Sequence, residues 1–263
     1  MAENVYLHNG INTRDLPIAA TGPDTYEMPT LEEVLDELHP LPAYSVMLGL
    51  CEDGLPLILD LTDPSSGSFL IAGDHSSTNF NLLYSLFTSA YLVNTPQEVN
   101  LHLISPQVEE LLEFHKQPAF KIGFDPSRPE CEMVVEEMVN LVHERQGTLE
   151  LQPIHILAVD GLDQLLQSLS PEAKYWFNWL LGNGPEVGLW VIATIESEKT
   201  NRLPPGVLDG FPSRILGFIQ SQQRARSLSG LSRNRLDDLI PDEQFYVRSV
   251  SGSHKIWMVQ PEV

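Results

Sequence analysis

The stretch Ser68-Phe-Leu-Ile-Ala-Gly-Asp-His-Ser-Ser-Thr-Asn-Phe80 reads as a buried strand, a glycine-led polar loop and the opening of an amphipathic helix. That is the layout of a phosphate-binding loop. The chemistry of such a loop requires G-x-x-x-x-G-K-[ST]: backbone amides cradle phosphate, the lysine neutralises it and the final hydroxyl holds Mg²⁺. Here Gly73 supplies the first glycine, but Thr78 stands at the second, Asn79 at the lysine and Phe80 at the hydroxyl.

Residues Gly73, Asp74, His75, Ser76, Ser77, Thr78, Asn79 and Phe80 therefore form a nucleotide-binding loop by position with altered chemistry. Ser76, Ser77 and Thr78 still offer backbone amides at a helix N-terminus, which favours anions. Asp74 opposes them, because it brings a negative charge beside the phosphate position and no lysine offsets it. Two charges about 4 Å apart at an effective dielectric near ~20 interact by ~4 kcal/mol. The expectation is that ordinary ATP affinity is lost and that the loop is a packing element.

Outward from this loop, 263 residues with 42% hydrophobic side chains fit one large α/β domain with an extension. No apolar run reaches the roughly 18 residues of a membrane span, and Met1-Ala-Glu-Asn-Val lacks the basic start of a signal peptide. A cytoplasmic protein with no membrane partner is expected. Cys51 and Cys131 show no CxxC spacing, and the eight histidines form no HExxH pair, so neither a disulfide framework nor a metal site is indicated.

The formal net charge of −21 repels phosphate backbones and makes direct DNA binding an unfavoured function. The charge is unevenly spread. Arg14 is the one basic residue before Lys116, whereas nine of fifteen fall from Lys199 onward, against six acidic residues there. This is read either as a solvated acidic surface or as a basis for head-to-tail contact between copies in a ring.

Residues 1–43 read as a proline-bearing arm ending in a short helix opened by the capping box Thr30-Leu-Glu-Glu33. Residues 44–263 read as the α/β domain. Tyr44 to Leu50 and Leu55 to Leu61 flank Glu52-Asp-Gly54 as a β-hairpin. Val99 to Ile104, Ile154 to Val159, Gly188 to Thr194 and Arg214 to Ile219 read as core strands. Pro106 to His115 and Pro129 to Gly147 read as helices, and Gln244 to Val250 with His254 to Val259 as a closing hairpin. Strands alternating with helices give a three-layer α/β domain with a mostly parallel central sheet and antiparallel additions.

The order of these segments resembles the motor domain of the FtsK/HerA group of ring ATPases, from about Ser45 to Pro261. Gly54-Leu-Pro-Leu-Ile-Leu-Asp-Leu61 is similar to the family's short strand ahead of its P-loop, and Phe69-Leu-Ile-Ala-Gly73 to its LLVAG. Thr95 to Ile104, with Glu110-Leu111 after it, matches the next strand and its EL. Ile156-Leu-Ala-Val-Asp160 matches the Walker B strand, and Gly188 to Thr194 matches GIHLILAT. Phe211-Pro-Ser-Arg-Ile215 and Ser221 to Leu228 match the last two motifs.

The resemblance implies a RecA/FtsK-like P-loop NTPase fold and places a vestigial Walker B aspartate at Asp160. Gly161 stands at the family's glutamate, Ile195 and Glu196 at its glutamine and arginine, and Ser105-Pro106-Gln107 at its DPK. Thr194 is sensor-like or simply a strand end. Arg214 and Arg226 are retained and are inter-subunit candidates, with a plain surface role open for Arg226. Asp160 is read either as a ligand residue or as the cap of the following helix. Two functions follow as expectations. One is a pseudo-ATPase scaffold or regulatory subunit that takes no cofactor and binds protein partners. The other is a divergent ATP-dependent DNA translocase subunit using ATP and Mg.

Overall fold

The computed structural model describes residues 28–107, 120–148, 153–231, 236–250 and 252–262, without side chains for 120–123. The expected N-terminal arm, Glu110-Leu111 and most of the helix expected over Pro106 to His115 lie outside the described residues.

Ten strands form one mixed sheet: β1 Ser45–Cys51, β2 Pro56–Asp60, β3 Phe69–Gly73, β4 Val99–Ile104, β5 Phe120–Phe124, β6 Ile154–Val159, β7 Leu189–Glu196, β8 Ser213–Leu216, β9 Gln244–Ser249 and β10 Gly252–Trp257. Their spatial order is β2-β1-β10-β9-β8-β3-β7-β6-β4-β5. From β8 to β5 every pairing is parallel, and from β8 outward to β2 every pairing is antiparallel. The two expected hairpins are the ends of the antiparallel wing. β5 has no counterpart in the sequence reading.

The central strands are apolar on both sides, as strands covered by helices on both faces must be. Alternate residues divide between two cores. Leu70, Leu157, Leu189 and Val191 pack with helices α3 Cys131–Arg145, α4 Leu162–Ser168, α5 Pro171–Asn183 and α6 Gln222–Ser229. Phe69, Ile71, Ile156 and Trp190 pack with α2 Ser76–Val93 on the opposite face. The period of two in side-chain direction thus makes the three layers.

Helix α3 begins at Cys131, two residues after the expected proline start, and buries Val135, Met138 and Val142 as the periodicity indicates. Helix α1, Leu31–Leu38, opens on the anticipated capping box, with Glu33 N–H donating to Thr30 Oγ1 at 3.3 Å and Thr30 N–H to Glu33 Oε2 at 2.9 Å. It packs Leu31, Val34, Leu35 and Leu38 against Met47, Leu50 and Val259, so this helix is docked on the sheet's antiparallel wing. None of the described helices is long and apolar enough to cross a membrane.

Trp190 joins the layers. It is fully buried, lies 6.3 Å from Phe69 between ring centroids, and its indole N–H donates to the Leu61 carbonyl at 3.1 Å. Truncating such a residue removes packing and leaves that carbonyl unpaired. Trp190→Ala is expected to cost about 3–5 kcal/mol, read as a lower midpoint in urea unfolding followed by circular dichroism. A loss under about 1 kcal/mol would mean that β7 is not the centre of this core.

Candidate functional site

The parallel strands all end at one edge of the sheet, and the loop residues, Asp160 and Thr194 collect there, whereas Arg214 lies near the start of β8, level with Leu70, and Arg226 lies on α6. β3 delivers the loop, Ser105 directly follows β4, Asp160 directly follows β6, and β7 carries Thr194 through Glu196. β7 lies between β3 and β6, in register with both: Ile71 is opposite Thr194 and Val159 is opposite Ala193.

The loop after β3 is closed by its own side chains. Asn79 is 1% exposed, and its amide Nδ2 donates to the Ile195 carbonyl at 3.0 Å and to the Gly73 carbonyl at 3.5 Å. Among the described residues its Oδ1 is buried without a hydrogen-bond partner, and it would lie 2.9 Å from a Cβ placed on Gly73. A Cβ at this position would press on the asparagine side chain packed against it.

Asp74 accepts from Gln220 N–H at 2.9 Å and from the Ser197 hydroxyl, and its own N–H donates to the Phe218 carbonyl at 3.0 Å. These bonds tie the loop's first residues to the segments that follow β7 and β8. On the other side, the Thr78 hydroxyl donates to Asp242, and His75 Nδ1 lies 3.4 Å from the same Asp242 oxygen. A carboxylate of the chain itself therefore bridges the first turn of α2, where an anion is favoured by the helix dipole. Phe80 is buried and stacks on Tyr84 at 6.3 Å, while Ser76 and Ser77 are exposed.

Asp160 is 8% exposed and accepts from Thr194 Oγ1 at 2.7 Å and Ser105 Oγ at 3.1 Å. Thr194 Oγ1 in turn accepts from the Gly161 N–H at 3.0 Å. Burial pushes the Asp160 carboxyl above its ordinary value, against the opposing pull of the two hydroxyls and of the Lys199 charge. Thr194 is thus the residue that holds Asp160, a role the spacing alone did not give.

Gly161 caps α4 with φ +91°, in the left-handed region. A glutamate there would carry backbone strain, so the missing glutamate and the local turn are one fact. Asp163 is buried and paired to Arg202 Nη1 at 3.3 Å. Ile195 is buried, and Glu196 pairs with Lys199 at 2.6 Å.

Arg214 is spent within its own chain. Its guanidinium donates to the carbonyls of Leu208 at 3.0 Å, Phe211 at 3.4 Å, Ser227 at 3.5 Å and Leu228. Burial, with Arg248 nearby, pulls it below the ordinary arginine value. Arg226 is exposed on the last turn of α6. The sequence reading missed Ser197, Lys199, Arg202 and Arg224, whose Nη1 donates to Ser197 Oγ at 3.3 Å. The one signal for Ser197, Lys199 and Arg202 is a polar run directly after the apolar strand β7, and Arg224 on α6 has none.

This architecture is that of the RecA/FtsK-like P-loop ATPase domains. Solved structures with the same fold include EccC of Thermomonospora curvata, ATPases 2 and 3 with a signal sequence peptide, at TM-score 0.66 and 19% identity, covering 89% of this chain and 42% of that one. The cytoplasmic domain of EssC matches at TM-score 0.67 and 17% identity over 91% of this chain and 48% of that one. The pCW3 conjugation coupling protein TcpA, monomer form with ATPγS, matches at TM-score 0.65 and 14% identity, over 83% and 66%. The chain thus spans less than half of the EccC and EssC structures and under two thirds of TcpA's. At these identities the likeness establishes the fold. No protein-family profile and no curated protein matches this chain in sequence.

Two outcomes test the site. Gly161→Glu is expected to cost about 1–2 kcal/mol from its backbone conformation alone, since an added Cβ meets only Gln164 at an ordinary 3.5 Å. Asp160→Asn probes the buried carboxyl. A raised value in the folded chain means that stability is greatest below the ordinary carboxylate range and falls as pH rises through the raised value. The substitution removes that loss, so the variant should gain on the parent from about pH 4 upward and then hold a constant lead. A stability difference that does not change with pH would contradict the account.

Proposed function

We propose that this chain is a pseudo-ATPase: a domain with the shape of an FtsK/HerA-type motor that serves as a scaffold or regulatory subunit of a larger assembly. The observation that carries this reading is the Asn79 amide, turned inward onto the Gly73 and Ile195 carbonyls. Mg·ATP does not fit this residue set. The lysine position holds a buried neutral amide, the magnesium hydroxyl is the buried ring of Phe80, and Asp242 lies across the first turn of α2.

Each change removes a different part of the chemistry. Without lysine the phosphate charge is not neutralised, and without the hydroxyl the metal loses its protein ligand. Glycine at 161 leaves no carboxylate to orient an attacking water. Persistence of the strands and both cores around an altered loop fits a chain retained for its surface. Protein partners, among them a related active motor, follow from this reading. The acidic charge argues against direct contact with DNA.

A second reading, a divergent ATP-dependent DNA translocase subunit, has one observation in its favour. Asp160 keeps its position with both oxygens held by hydroxyls, and Lys199 acts on it electrostatically. That lysine is already paired with Glu196. The scaffold account expects no binding of a fluorescent ATP analogue at millimolar nucleotide and no turnover above a buffer blank. Hydrolysis that disappears in Asp160→Ala would establish the second reading in its place.

A further inference from the structure

The chain's acidity is joined on one face by aromatic rings. Helix α5 carries Tyr175, Trp176 and Trp179, and His143 of α3 closes against both indoles. The two tryptophan rings are 5.8 Å apart at 86°, and Tyr175 meets Trp176 at 5.2 Å and 71°. His143 stands edge-on to Trp176 at 5.8 Å and 88°, and 4.9 Å from Trp179. The tryptophans rest partly on the core, which accounts for their inner edges. Tyr175 is 64% exposed, so core packing does not account for it.

Edge-to-face contacts fix each ring by its neighbours. A partner would find their orientation already set, which lowers the ordering cost of binding. The surrounding charge indicates what that partner carries. Glu172 lies one turn before Trp176 on α5, and Glu136 lies two turns before His143 on α3; both are exposed. The helices are joined at their starts by the Ser170 N–H donating to Glu132, and helical spacing puts Glu136 on the His143 side of α3 and Glu172 on the Trp176 side of α5. A ring face attracts a cation, and a carboxylate takes a planar guanidinium by two parallel hydrogen bonds. Arginine satisfies both, whereas nucleic acid and anionic lipid are repelled.

We propose that the α3–α5 face docks an arginine-bearing segment of another protein. The surface is independent of whether nucleotide enters the loop, so its test and that of the scaffold reading fail separately. The probe is a short alanine-based helical peptide with arginines one turn apart, titrated into the full chain at physiological salt without nucleotide. Calorimetry and tryptophan fluorescence are the readouts.

The arginine peptide is expected to bind and to change the tryptophan emission, whereas its citrulline counterpart, isosteric and uncharged, does not bind. Tyr175→Ser, and separately the pair Glu136→Gln with Glu172→Gln, should each weaken binding by roughly threefold or more. These positions are exposed, so far-UV circular dichroism should be unchanged. Absence of binding would overturn the proposal, and so would equal binding by parent and variants, which would be attraction to net charge alone. Concentration-dependent dimerisation that Tyr175→Ser abolishes would assign the face to a second copy of this chain and overturn it as well.

Discussion

One buried amide sets the character of the site. Asn79 joins the first turn of α2 to the ends of β3 and β7 by donating to the Gly73 and Ile195 carbonyls. A lysine in the same place would bring an ammonium into a buried position, and burying a charge costs several kcal/mol unless it is well paired. In a nucleotide-binding loop the phosphate supplies the compensation. The neutral amide here carries no such cost.

The rest of the edge follows the same logic of internal pairing. Asp74 is bound by Ser197 and Gln220, Asp242 by Thr78 and His75, Asp160 by Ser105 and Thr194, and Asp163 by Arg202. Arg214 serves four carbonyls of its own chain. Polar groups that would meet nucleotide or a neighbouring subunit in a working motor are here committed to one another. Such a network rigidifies the edge and leaves the outer faces of the helices to carry recognition.

The architecture was legible because its signals are local. The near-continuous apolar runs of β3, β6 and β7 and the capping box at Thr30 each follow from one local rule, and all appear where expected. Strand β5 escaped because Phe120–Phe124 is flanked by prolines and is short. Gly73 could be located from the loop motif, and Asp160 and Thr194 from the resemblance to the FtsK/HerA motor domains, but their partners could not. That Asn79 turns inward, that Thr194 holds Asp160, and that Asp242 reaches across 164 residues to Thr78 are long-range facts with no local signature. Gly161 lies between these cases: the sequence shows a missing glutamate, and the φ of +91° shows why the turn prefers glycine.

On the proposed reading, the domain keeps the fold of a motor and acts through its surface. The central claim is that the closure is complete, and it is read most directly from the backbone amide resonances of Gly73 to Phe80 in a ¹⁵N-labelled chain as Mg·ATPγS is added. The account predicts that these resonances stay in place up to millimolar nucleotide. Saturable shifts centred on those eight amides, with Asn79 among them, would show that the loop opens to phosphate and would contradict it.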